Sequence, residues 1–199
     1  MSNMYPDSGY VMLVDVDSCS GCHACSVACK AEHRAPIGQF RTRVQSLTSG
    51  TYPQVKRRFV PTLCQHCVDA PCLSACPAGA IVRTVDGQVL VEENRCIGSG
   101  DCVPACPYGA IFRDDEGTAK KCDFCEERVA DGDNPACVAT CPTDALHFGR
   151  VDDEQIVQQL QLGDYEMQWV PAGRTQPRVY YKGLTPAAAN SLSRINQDK

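Results

Sequence analysis

Cys19-Ser-Gly-Cys22-His-Ala-Cys25-Ser-Val-Ala-Cys29-Lys30 opens a pattern that the chain repeats three more times. The second copy is Cys64-x2-Cys67-x4-Cys72-x3-Cys76-Pro77 and the third is Cys96-x5-Cys102-x3-Cys106-Pro107. The fourth is Cys122-x2-Cys125-x11-Cys137-x3-Cys141-Pro142, and the four copies use all 15 cysteines. The first copy has the C-x2-C-x2-C-x3-C spacing that holds cubane iron–sulfur clusters, with Lys30 where a proline usually follows. Three thiolates in one short loop can grip three corners of a cube. The fourth Cys lies beyond that loop's reach and is free to serve a neighbouring cluster.

Four complete cubanes need four thiolates each, so the cysteine count falls short by one, and the gap lies at Ser99 in the third copy. A serine hydroxyl is a poor iron ligand unless deprotonated, and it ionises far above a thiol's ordinary value of about 8.5. Three outcomes are open at this corner. A [3Fe–4S] cluster lacking it is favoured; a [4Fe–4S] cluster bound there by serinate or water is the second; loss of the cluster is the third. Asp101 is close enough in sequence to be a rival oxygen ligand, though its place directly before Cys102 suits it poorly. Zinc sites pair two C-x2-C units rather than following triplets with a distant Cys-Pro. A disulfide framework is disfavoured by the odd cysteine count and by the lack of a secretion signal.

Loop reach assigns the ligands. The adjacent second and third copies form one module, with Cys64, Cys67 and Cys72 completed by Cys106, and Cys96, Ser99 and Cys102 completed by Cys76. The first and fourth copies must then pair across the chain. Cys19, Cys22 and Cys25 take Cys141, while Cys122, Cys125 and Cys137 take Cys29. This gives an α+β, loop-rich fold of two bacterial-type 2[4Fe–4S] ferredoxin-like modules and an extended C-terminal tail. The expected divisions are 64–110 for one module, 1–63 with 111–150 for the discontinuous other, and 151–199 for a helix and partner-binding tail.

At 199 residues the chain fits one domain or two small ones. Its 43% hydrophobic content includes the cysteines and aromatics are only 7%, so the apolar core is thin and metal binding should be coupled to folding. A net charge of −5 argues against non-specific nucleic-acid binding. No apolar run approaches the roughly 20 residues of a membrane span, so membrane contact requires a partner subunit. The amino terminus has neither a basic-then-apolar leader nor a twin arginine. The expected locations are therefore the cytoplasmic face or the periplasm by co-export with a partner that carries the signal.

Between the motifs, Tyr10 to Val16 reads as a strand entering the first copy. An insertion between Cys29 and Cys64 carries two β-like runs, Arg41–Leu47 and Val55–Pro61, and a basic set comprising Arg34, Arg41, Arg43, Lys56, Arg57 and Arg58. That set reads either as a solvated face or as a docking surface for an acidic subunit. Cys76-Pro-Ala-Gly-Ala-Ile81, Cys106-Pro-Tyr-Gly-Ala-Ile111 and Cys141-Pro-Thr-Asp-Ala-Leu146 share the form C-P-x-[GD]-A-[IL]. Each Cys-Pro should end a helical turn, because the residue before proline is pushed out of the α region. Val82–Val91 reads as a hairpin with an Asp86-Gly87 turn, and 152–162 reads as an amphipathic helix ended by Gly163. Trp169, Tyr180 and Tyr181 lie in a polar, Pro- and Gly-containing tail that either packs back on the body or lies across a partner.

Residues 64–110 resemble a two-cluster bacterial ferredoxin. From Tyr10 to about Gly149 the chain resembles the four-cluster electron-transfer subunit of molybdopterin-containing oxidoreductases, the group that includes dimethyl sulfoxide, polysulfide, thiosulfate, tetrathionate, arsenate and nitrate reductases. The segments that carry this are CSGCHACSVACKAEH, LCQHCVDAPCLSACPAGAI, RCIGSGDCVPACPYGAI and KCDFCEERVADGDNPACVATCPTDAL. The resemblance implies the same crossed ligation, and its nitrate-reductase branch also replaces a Cys at the Ser99 position. It implies three [4Fe–4S] clusters and one [3Fe–4S] or Ser-ligated cluster, with no catalytic residue in this chain. The implied partners are a molybdopterin-binding catalytic subunit near the first motif's cluster and a quinone-reactive membrane subunit near the third's. Rival readings are the iron–sulfur subunit of a hydrogenase or formate dehydrogenase complex, and a stand-alone carrier or redox sensor. Of the four histidines, His23 and His66 sit inside motif loops and suit hydrogen bonding to sulfur better than metal binding. Lys30 and Lys121 are nearby charges suited to tuning reduction potential.

Overall fold

The computed structural model describes residues 8–163, 165, 169 and 175–197. In chain order the elements are β1 (Tyr10–Asp15), α1 (Ala24–Glu32), β2 (Thr42–Ser49), β3 (Lys56–Leu63), α2 (Pro71–Ala75), β4 (Ile81–Arg83) and β5 (Val89–Val91). Then follow α3 (Cys102–Ala105), β6 (Phe112–Arg113), β7 (Ala119–Lys120), α4 (Glu126–Ala130), α5 (Ala136–Ala139), β8 (Leu146–Arg150), α6 (Glu154–Leu162), β9 (Val179–Lys182) and α7 (Pro186–Gln197). Helices and strands mix along the chain in short pieces, as expected of a loop-rich α+β protein.

β1 is the central strand of a three-stranded sheet, ordered β8-β1-β9. Its Val11, Met12, Leu13 and Val14 are all fully buried, as expected for a strand covered on both faces. Met12 and Val14 join the main core, while Val11 and Leu13 join a smaller one with Ile156, Tyr165 and Tyr180. β8 pairs antiparallel with β1 from Tyr10↔Arg150 to Val14↔Leu146. This pairing lays the strand that follows Cys141 beside the strand that leads to Cys19.

The insertion folds as the β2–β3 hairpin, registered from Thr42↔Leu63 to Ser49↔Lys56. The β4–β5 hairpin forms where expected, with Gly87 in the left-handed region at φ 81°. A hairpin not anticipated in the sequence, β6–β7, follows the third motif. Its turn is closed by the Asp114 carboxylate, which accepts from the Glu116 and Thr118 amides at 3.1 and 2.8 Å.

The C-terminal segment departs from the extended tail that composition suggests. β9 pairs parallel with β1 from Met12↔Val179 to Asp15↔Lys182, and α7 follows it. Tyr165, Trp169, Tyr180 and Tyr181 are all buried, and Trp169 packs edge-on against Tyr108. Burying four large aromatic rings stabilises a return to the body more than solvation of a free arm would. Residues 164, 166–168 and 170–174 of that expected tail lie outside the described residues, as does the 1–7 terminus.

Candidate metal centres

Two backbone devices shape the cysteine loops. The residue before the second ligand position is left-handed in all four: Gly21 (φ 72°), His66 (φ 44°), Gly98 (φ 70°) and Phe124 (φ 59°). The third loop therefore keeps the turn of the others and presents Ser99 where they present cysteine. The second device explains the C-P-x-[GD]-A repeat. Gly79, Gly109 and Asp144 are left-handed at φ 58°, 55° and 48°, and that turn aims the next amide back at the cysteine. The Ala80 N–H lies 3.3 Å from Cys76 Sγ, and the Ala145 N–H lies 3.3 Å from Cys141 Sγ. The Ala110 amide likewise favours the charged form of Cys106. Ahead of two of these turns, Cys76 and Cys106 leave the helical region, at ψ 108° and 110°, as a residue before proline must.

The tertiary fold then gathers the loops. Cys64, Cys67, Cys72 and Cys106 line one cavity, and Cys76, Cys96, Ser99 and Cys102 line a second. Cys19, Cys22, Cys25 and Cys141 line a third, together with His23. Asp101 is absent from the walls of the cavity that holds Ser99. Cys29, Cys122, Cys125 and Cys137 are all buried and act electrostatically on one another.

Burial dominates the electrostatics of these groups. It pushes the Cys25 and Cys29 thiols up to about 11 and Cys72 up to about 12, with neighbouring cysteines adding to the rise. Cys67, Cys122 and Cys137 rise for the same reasons. Such thiols keep their protons unless a strongly positive core takes the protons' place. The donor set in each cavity is almost purely sulfur. A structural zinc site pairs two C-x2-C units, whereas each quartet here joins a loop triplet to a distant residue of another motif. The residues fit iron–sulfur clusters.

Around these quartets lie side chains that the motif spacing does not reveal. His33 Nε2 lies 3.3 Å from Cys125 Sγ and 3.6 Å from the Asp123 carboxylate, and burial pulls its pKa down. Asp123 pairs with Arg41 at 2.5 Å and accepts from the Cys125 amide at 2.8 Å. Burial alone would push the Asp123 carboxyl up, but Arg41 and His33 hold it below the ordinary value. His66 is fully buried, accepts from the Val89 N–H at 3.0 Å and stacks on Phe124 with 3.6 Å between ring centroids. Lys30 lies elsewhere than expected. Its ammonium donates to the carbonyls of Ala35, Pro36 and Gln39, where it clamps a loop. No sequence signal links His33 and Arg41 to Asp123, because the segment after the first motif meets the fourth motif only in three dimensions.

A protein whose folding places cysteine quartets of this spacing is an iron–sulfur protein, and comparison with known proteins makes the class definite. The profile described as "4Fe-4S dicluster domain" matches residues 55–151. The thiosulfate reductase electron transfer subunit of Salmonella typhi is 46% identical over 74% of this chain and 79% of its own. A tetrathionate reductase subunit of Salmonella typhimurium is 39% identical over 94% of this chain and 77% of its own. The arsenate respiratory reductase iron–sulfur subunit of Shewanella sp. is 34% identical over 85% and 94%. This chain belongs to their family, the ferredoxin-like iron–sulfur electron-transfer subunits of reductases. Among solved structures, the active site complex BamBC of benzoyl coenzyme A reductase aligns over 79% of this chain and 89% of that one. Its TM-score of 0.34 at 25% identity is too low to carry a conclusion.

Proposed function

We propose that the chain relays single electrons between a molybdopterin-binding catalytic subunit and a quinone-reactive membrane subunit. Its ligands would be Cys19, Cys22, Cys25 and Cys141; Cys29, Cys122, Cys125 and Cys137; Cys64, Cys67, Cys72 and Cys106; and Cys76, Cys96 and Cys102 with Ser99. When bound, the clusters would supply one-electron storage at closely spaced stations. The gradient of burial across the quartets carries this reading. The cysteines of the second set are all buried and those of the third nearly so, whereas Cys22 and Ser99 are exposed in the first and fourth. Exposed ends and a buried middle suit entry at one face and exit at another.

Each end also offers features for a partner. Val27 is exposed close to the first quartet, and Cys141 borders a broad polar groove with Asn134, Asp144, His147 and Gln155. Ile97, 70% exposed, stands beside Ser99 at the other end. The two ferredoxin-like modules follow the same division, with the first and fourth motifs joined by the β1–β8 pairing. Among the described residues no helix is long and apolar enough to cross a membrane, so membrane attachment would come through the partner.

The sulfur-lined corner at Ser99 is reached by solvent and supplies three thiolates, which suits a [3Fe–4S] cluster. Anaerobic isolation from native cells tests the whole reading. The expected result is a brown complex in which this chain travels with a larger subunit. An oxidised, paramagnetic [3Fe–4S] signal should vanish in Ser99→Cys. A partner-free monomer would overturn the relay, and an EPR-silent oxidised protein would overturn the assignment at Ser99.

A further inference from the structure

Lys121 is a buried cation beside the cysteine loops. The residue is 3% exposed, and its ammonium donates to the carbonyls of Val89 and Cys122, the second at 2.6 Å. Two other lysines have acidic partners. Lys120 meets Glu93 at 2.5 Å and Asp114 at 3.5 Å, and Lys182 meets Asp15 at 3.0 Å. Among the described residues no carboxylate pairs with Lys121. The nearby Asp123 is taken by Arg41. Two carbonyl dipoles do not neutralise a buried charge, and leaving one uncompensated is unfavourable.

What lies beside it is a wall of thiols. Val89, which holds the ammonium, lines the cavity of Cys64, Cys67, Cys72 and Cys106. Lys121 is close enough to Cys72 and Cys106 to act electrostatically on both. We propose that Lys121 is the built-in counter-cation of the cluster held by these four cysteines and that its charge raises that cluster's reduction potential. This rests on the ligation proposed above. Four thiolates leave a bound cluster net negative, and reduction adds one more negative charge, so a fixed cation favours the reduced form.

Lys121 is thus a positioning residue for charge, and its test reads a potential. In Lys121→Gln the amide keeps a donor for the carbonyls and loses the charge. Lys121→Arg keeps both. EPR-monitored redox titration of the holoprotein follows the signal that Cys72→Ser perturbs. The expected result in Lys121→Gln is about a tenfold lower reduced-to-oxidised ratio at fixed potential, a fall of about 59 mV for one electron. The other signals should stay in place, and Lys121→Arg should restore the original value. If Lys121→Gln does not assemble, Lys121→Met supplies the neutral comparison. Failure of both neutral variants with assembly of the arginine variant supports a required charge. An unchanged potential in a fully loaded neutral variant overturns the proposal, as does failure of all three. Wild-type protein lacking iron, or lacking the Cys72-dependent signal, would instead overturn the ligation.

Discussion

Gly21 offers a sharp test of how the first cysteine loop is built. It lies directly before Cys22 at φ 72°, and a Cβ placed there would fall 2.5 Å from both Cγ and Cδ1 of Phe59. The ring cannot escape by rotating, because Cγ lies close to its own backbone. That backbone is fixed in β3, where Phe59 pairs with Ser46. A left-handed non-glycine residue costs about 1–2 kcal/mol, and overpacking adds about 1–3 kcal/mol. Gly21→Ala should therefore weaken the loop by about 2–5 kcal/mol. At 1.4 kcal/mol per tenfold that is roughly thirtyfold to a few thousandfold in retention of the metal it closes around. The assay is iron content against graded chelator under anaerobic conditions, with EPR to show which cluster is lost. Gly38→Ala is the control. Gly38 has φ 82° with nothing within 4 Å of the added Cβ, so it bears the backbone strain without the collision. If Gly21→Ala kept its iron as firmly as Gly38→Ala, the packing argument would be refuted.

Two further outcomes follow from the same geometry. Burial alone would raise the Asp15 carboxyl, but Lys182 and the Ser18 amide hold it below its ordinary value of 3.8. A depressed carboxyl contributes stability above its unfolded pKa and loses it as pH falls through the folded one. Asp15→Asn should accordingly unfold more readily than the parent at pH 7, by about 1 kcal/mol for a partly exposed pair. The difference should shrink as pH falls toward the acid limit at which the iron is still retained, read in denaturant titrations at equal iron content. Stripping the metal should largely unfold the chain, because Cys25, Cys64, Cys67, Cys72, Cys102, Cys122 and Cys137 sit inside the main apolar core. Circular dichroism of the chelator-treated protein reads this out, and native-like sheet signal after complete iron removal would contradict it.

The gathering of cysteine loops around shared cavities was legible beforehand because thiolate spacing is a covalent ruler. Three cysteines in one loop must face a common point, and a fourth held beyond the loop must face another. The β1 strand, the insertion hairpin, the β4–β5 hairpin and α6 were legible from apolar patterning and turn residues. The β6–β7 hairpin was not, since its strands are two residues each and carry no period. The C-terminal strand was also hidden. Val179-Tyr-Tyr-Lys182 is too short to declare a partner, and its pairing with β1 bridges more than 160 residues of intervening chain.

The linear order of residues was enough to show which loops carry the sulfurs and that the third copy has Ser99 in place of a cysteine, since those follow from motif spacing. Only the folded chain decided what surrounds the sulfurs. His33 and Arg41 come to the fourth motif, Lys121 comes to lie without a carboxylate beside the third quartet, and the aromatic tail closes over the body. Charge and dielectric at a buried site depend on distance through space, and that distance is fixed by packing rather than by position along the backbone.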